Sequence, residues 1–141
     1  MQLAEPSDMS DIVVLRAPRG RGTLPVMRVV IGGVASRHAL SVDGLDDIEL
    51  ALETLFREEP VEGNDLTLTV SVVGETFKVA LGGLCSQLVR QTLSGTEGSD
   101  FRRDALSDVL RMLMDSLVDG YRTEDGPTPG SFSVEMEKRI T

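Results

Sequence analysis

The sequence predicts an α+β protein: a two-layer sandwich with helices on one face of a mostly antiparallel, mixed sheet. Three observations lead there. Residues 66–73 and 76–81 alternate apolar and polar side chains around Gly74-Glu75, the pattern of a β-hairpin with one face on a core. Residues 41–59 and 100–117 carry apolar stripes at helical spacing. A second pair of strands, 119–125 and 132–140, closes the chain around the turn residues 126–130.

Residues 1–10 read as a loose, polar and acidic tail, and residues 11–141 as one domain without internal repeat or dividing linker. Ile12-Val-Val-Leu-Arg16 is a short β-rich run, stopped by the turn residues Ala17-Pro-Arg-Gly-Arg-Gly22. Residues 23–40 fit two patterns. Leu24, Met27, Ile31, Val34 and His38 share a helical face, with Thr23 as N-cap and Pro25 tolerated in the first turn. Yet residues 26–31 are rich in β-branched side chains, and Gly32-Gly33 weakens a helix interior by about 1 kcal/mol per glycine. Local pattern leaves helix and strand nearly tied.

The next helix is clearer. Leu45, Ile48, Leu52 and Leu55 form its stripe, widened by Ala51 and Phe56. Asp46, Asp47 and Glu49 crowd its first turn, where acids suit the helix dipole. Pro60 and Gly63 follow its end, with Glu58 and Glu59 as a solvated acidic terminus. Gly82-Gly83 is expected to stop the second hairpin strand, residues 84–93 to form a short helix, and 94–99 a loop. Ser99 or Asp100 would cap the helix whose face is Leu106, Val109, Leu110, Leu113 and Leu117. Phe132, Val134, Met136 and Ile140 alternate with polar residues in the last strand. Met112, Met114 and Met136 are expected in the core, and His38 at its edge.

The 141 residues, 40% apolar and 26% charged, suit one ordinary domain. With no Trp and one Tyr, the core must be built from Leu, Val, Ile and Met. A net charge of −9 disfavours partnership with nucleic acid or an anionic membrane. The charge is segregated. Arg16, Arg19, Arg21, Arg28 and Arg37 occupy a stretch without acids, and residues 43–62 are acidic apart from Arg57. Two solvated faces, or a bipolar surface for a protein partner, are the two readings of this pattern. The lone Cys85 forms no internal disulfide and points to a reducing cytoplasm, as a buried, inert thiol. The N-terminus lacks the basic and apolar regions of a signal peptide, and no apolar run reaches the ~18–20 residues that span a bilayer. One histidine and one cysteine make no zinc site, and neither a nucleophile elbow nor a phosphate-binding loop motif occurs.

Taken in order, these elements, with Asp46-Asp-Ile-Glu-Leu-Ala-Leu-Glu53 at the front of the second helix, resemble the anti-sigma serine kinases of the histidine-kinase-like (GHKL) ATPase superfamily. The C-terminal part is similar as well, through Val118-Asp-Gly-Tyr-Arg-Thr-Glu-Asp-Gly-Pro127 and Gly130-Ser-Phe-Ser-Val-Glu-Met136. The resemblance covers residues 11–140, implies the histidine-kinase-like ATPase fold, and tips residues 23–40 toward helix.

It also implies where nucleotide chemistry would sit, and the sequence departs at all three places. The family's E-x-x-x-N pair, whose asparagine holds Mg²⁺, falls on Thr54 and Glu58, or one residue earlier on Glu53 and Arg57. Neither register supplies the asparagine, although a glutamate can ligate Mg²⁺. The D-x-G-x-G box, whose aspartate accepts the adenine amino group, falls on Ala80 to Leu84. Gly82 survives and Gly83 adjoins it, but Ala80 offers no side-chain acceptor. The glycine-rich lid falls on Gly95 and Gly98, where Glu97, Asp100 and Asp104 oppose a triphosphate and Arg102 and Arg103 offset them in part. The resemblance therefore implies a degenerate ATP site, with no catalytic residue, metal or cofactor. ATP and Mg²⁺ belong to the alternative, an active divergent protein serine kinase.

A binding module remains. The resemblance implies a sigma factor or a STAS-type anti-sigma antagonist as partner, and a homodimer. Its first two helices form much of the partner and dimer surface, which points to Arg28, Arg37, Asp46, Asp47, Glu49 and Glu53. An unrelated α+β interaction domain is the third reading.

Overall fold

Residues 11–94 and 105–140 are described by a computed structural model. The expected tail, the lid positions Gly95 and Gly98, and the caps Ser99 and Asp100 lie outside the described residues. The elements run β1 (Asp11–Ala17), α1 (Thr23–Arg37), α2 (Val42–Arg57), β2 (Leu66–Val73), β3 (Thr76–Leu84), α3 (Gln87–Ser94), α4 (Ala105–Leu117), β4 (Gly120–Asp125) and β5 (Phe132–Arg139). The strands form one open sheet in the order β1-β2-β3-β5-β4, antiparallel at each described pairing. The parallel component of a mixed sheet is absent among the described residues.

Strand alternation decides which face meets the helices. Leu66, Leu68, Val70 and Val72 of β2, Phe77, Val79 and Leu81 of β3, and Phe132, Val134 and Met136 of β5 are all buried. They pack with Met27, Ile31, Val34 and Ala35 of α1, Ile48, Ala51, Leu52 and Leu55 of α2, and Leu110, Met114 and Leu117 of α4 in one core cluster. The opposite face carries Thr69, Ala80, Glu135 and Arg122 in one cross-strand row, and Ser71, Lys78 and Glu137 in the next. Arg122–Glu135 (3.3 Å) and Lys78–Glu137 (3.6 Å) are ion pairs across that face.

Residues 23–37 are helical, and the reason for the tie is visible: Val26 and Val29 are apolar yet exposed. The capping expectation fails. Gly22 is the N-cap without a side-chain bond, and the Thr23 hydroxyl donates instead to the Pro18 carbonyl. The chain then reverses through Ala39, whose φ of 59° lies where glycine is usual. Ser41 caps α2 through a hydrogen bond from the Gly44 amide (3.0 Å).

Gly82-Gly83 does not end β3. The strand bulges between Leu81 and Leu84 and resumes its pairing, with Leu84 opposite Phe132. Gly83 makes this possible: its φ is +85°, and a Cβ there would sit 2.5 Å from the Asp65 carbonyl oxygen. Leu84 and Cys85 consequently lie ahead of the short helix, not in it. Cys85 is exposed, and so is Met112, contrary to the expectation of burial.

Glu59 is the largest departure. It is not solvated; its side chain and that of Arg19 are 3% and 4% exposed, and they meet at 2.7 Å. The remaining donors and acceptors are filled. Arg19 Nε donates to the Asn64 carbonyl (2.9 Å), Nη1 to that of Pro60 (3.2 Å) and Nη2 to that of Gly83 (2.5 Å). Glu59 accepts from the amides of Cys85 (3.0 Å) and Ser86 (2.8 Å), at the entry to α3. One pair thus joins the β1–α1 turn, the end of α2 and the β3–α3 corner. Removing one member of a buried pair strands the other, at about 3–5 kcal/mol. Arg19→Met is expected to lower the unfolding free energy measured in urea by that much at unchanged slope, with part of the loss recovered in Arg19→Met/Glu59→Leu. A single-variant loss under about 1 kcal/mol would show that the pair is not structural.

Candidate functional site

Among the described residues, the nucleotide positions implied by the resemblance, on α2 and on β3, do not converge on one open cleft. The registered residues of α2 split by face. Glu53 turns toward α1, where Arg28 Nη2 (2.9 Å) takes one of its oxygens, and Arg57 Nη2, one turn further along α2, takes the other (3.1 Å). Thr54 donates its hydroxyl to the Leu50 carbonyl (2.8 Å). Thr54, Arg57 and Glu58 line a small cavity of about 110 Å³ with Leu88, Leu106, Val109, Leu110 and Leu113. Those leucines and the valine come from α3 and α4, so the helix layer itself fills this space. Small-molecule sites occupy roughly 300–1,000 Å³.

The glycine-box positions lie elsewhere. Ala80 stands opposite Thr69 and Glu135, on the sheet face that the helices do not cover. Its neighbours Val79 and Leu81 do face the helices, and both are fully buried and apolar. An adenine acceptor is therefore missing from β3 in either register. A Cβ at Gly82 would meet its nearest neighbours, Ser133 and Thr67, only at 3.8 Å, and Gly83 serves the bulge. Among the described residues, no group of three or more His, Cys, Asp or Glu side chains is placed to hold a metal ion.

The charge segregation resolves into internal pairs. Besides Arg19–Glu59, Arg28 bonds Glu53, Arg16 bonds Asp65 (3.3 Å), and Arg37 bonds Asp11. Asp47 accepts from Lys138 Nζ (2.9 Å), which also donates to the Leu117 carbonyl (2.7 Å) at the end of α4. Of the six candidate partner residues, Arg28, Arg37, Asp47 and Glu53 are thus engaged within the chain. Among the described residues, Asp46 and Glu49 have no side-chain partner. The apolar surface that the sequence did not reveal lies on the same two helices: Val26 and Val29 on α1, Val42 and Leu50 on α2 are all exposed, Val29 and Val42 at 74%.

Among the described residues, three titrating groups are displaced, one of them Tyr121, whose hydroxyl is pushed up by desolvation and by its hydrogen bond to Asp115 (3.0 Å). At Asp11, the hydrogen bond to His38 (2.7 Å), helped by Arg37, holds the carboxyl below the usual carboxylate range despite an opposing desolvation. Partial burial and the Glu59 carboxylate push the Cys85 thiol up, so it is protonated at neutral pH and not primed as a nucleophile. No helix among the described residues is long and apolar enough to cross a membrane. No protein-family model matches the chain, and no curated protein is similar to it in sequence.

The missed residues are Arg19 and Glu59. Glu59 adjoins Pro60, and nothing in local pattern distinguishes it from its neighbour Glu58; only the partner forty positions away does so.

The depressed native pKa of Asp11 means that its contribution to stability is complete above the unfolded carboxylate value of about 4 and is lost as pH falls through the native value. Asp11→Asn should therefore destabilise at pH 7 and converge with the parent in acid, by urea unfolding. A constant difference across that range would exclude the linkage. Ala80→Asp is expected to fold with stability within about 1 kcal/mol of the parent and to gain no ATP affinity by calorimetry, since the new carboxylate faces Glu135 on the open sheet face. A gain would place position 80 in a nucleotide site after all.

Proposed function

We propose that the chain is a protein-binding regulatory domain of the anti-sigma-factor type, with the histidine-kinase-like fold and a degenerate ATP site. Its partner is a sigma factor or a STAS-type antagonist, and it works as a homodimer without ATP or Mg²⁺. The observation that carries this reading is the fate of the nucleotide positions. The α2 positions are paired off or walled in by leucines, and Ala80 faces away from the helices. The order of elements and the helix opened by residues 46–53 support the family likeness.

The outer faces of α1 and α2 supply both parts that a protein interface needs. Val26, Val29 and Gly33 follow one another at helical spacing on α1, and Asp43, Asp46 and Leu50 do so on α2. An apolar centre with acids beside it fits a partner with a basic surface.

Val29→Glu is expected to leave the thermal midpoint unchanged and to weaken capture of a sigma factor or STAS-type protein at least tenfold, because an exposed anchor is lost to charge. Undiminished capture would remove α1 from the interface. Titration of the parent with ATP·Mg²⁺ is expected to be silent at millimolar nucleotide. A dissociation constant below about 100 μM, roughly −5.5 kcal/mol, would instead restore the serine-kinase reading.

A further inference from the structure

We infer that the groove between the β1–α1 turn and the C-terminal end of α2 is a binding site for a small apolar monoanion of the medium-chain carboxylate class. The groove has a volume of about 400 Å³, within the roughly 300–1,000 Å³ of small-molecule sites. Phe56, Pro60, Val61 and Leu66 supply its apolar wall, and Arg19, Gly20, Arg21 and Glu59 the remainder. It is separate from the small cavity on the other side of α2, so the proposal stands or falls independently of the anti-sigma reading.

The charge of the occupant follows from how the lining groups are spent. Arg19 and Glu59 neutralise one another and have filled their hydrogen-bonding positions with backbone groups. Neither can turn to a ligand without breaking that network. Arg21 is different: it is exposed and has no side-chain partner. It is the one uncompensated charge on the described lining, and no unpaired acid accompanies it there. A guanidinium with five donors selects a carboxylate over a neutral polar group.

The body of the occupant follows from the wall. Val61 is 84% exposed, the most exposed of the large apolar residues described. It stands beside Phe56 and Pro60 at a helix end, and covering it removes apolar surface from water. The buried ion pair behind the wall fixes the turn and the helix end relative to each other. The groove is thus largely formed before a ligand arrives, and binding has little ordering to offset.

Octanoate is the probe, with 1-octanol as its uncharged counterpart, titrated into the full chain and followed by calorimetry and amide chemical shifts. Octanoate is expected to bind and to shift residues 19–21 and 56–61. Arg21→Ala should weaken octanoate about tenfold, the worth of one charged hydrogen bond, and leave octanol unchanged. Val61→Asp should weaken both while keeping the parent's thermal midpoint, since residue 61 is on the surface. Absence of heat and of shifts at millimolar octanoate would overturn the proposal, as would equal octanoate affinity in parent and Arg21→Ala. Concentration-dependent dimerisation abolished by Val61→Asp would put a second copy in the groove and overturn it too.

Discussion

A guanidinium and a carboxylate, both nearly sealed from water, hold three corners of this molecule together. Bringing Arg19 and Glu59 out of water is costly, and their mutual attraction alone does not recover that cost. Recovery depends on the surrounding backbone: three carbonyls on the arginine and two amides on the glutamate. Such a network is strong only when every member is satisfied, which makes it a geometric lock. The turn before α1, the end of α2 and the start of α3 must all be in place at once. The Gly83 bulge belongs to the same lock, since it supplies one of the carbonyls and lets the backbone pass the Asp65 carbonyl at close range.

The segregated charge has a related explanation. A basic segment followed by an acidic one suggests two opposed electrostatic surfaces. In the folded chain these segments are neighbours, so much of the charge is consumed between them, through Arg19–Glu59 and Arg28–Glu53. Pairing of this kind spends individual side chains while leaving the net charge of −9 in place, and the more exposed pair, Arg28–Glu53, adds little stability. Recognition by the helix layer then rests on exposed valines and leucine, flanked by the acids that found no partner.

The fold class was legible because alternation and helical spacing are local signals, strongest in β2, β3, α2 and α4. The limits of legibility were local as well. α1 is apolar on its exposed side at Val26 and Val29, so its stripe blurred into a pattern that suited a strand equally. β3 ran past its glycines because a bulge is a compromise with a neighbouring strand, which single-strand pattern does not contain. At the candidate site, the loss of an acceptor at position 80 was readable as chemistry. The alternation of Phe77, Val79 and Leu81 also set Ala80 on the opposite face, and what was not readable is which residues share that face, Thr69 and Glu135 from the neighbouring strands. Glu59 and Cys85 were misplaced for the same reason. Their surroundings come from residues far away in sequence.

The antiparallel sheet imposes an order of assembly. β2 and β3 are joined by two residues and can pair as soon as both exist, whereas β1 with β2 and β3 with β5 bring together positions about fifty to sixty residues apart. During synthesis β1 emerges first and must wait for β2, with Ile12 and Val14 still exposed even after pairing. The central hairpin is therefore the natural template, and the first strand made is among the later ones to dock. A chain released or cut before residue 66 has no sheet to join, and carries an unpaired apolar strand of the kind that self-associates.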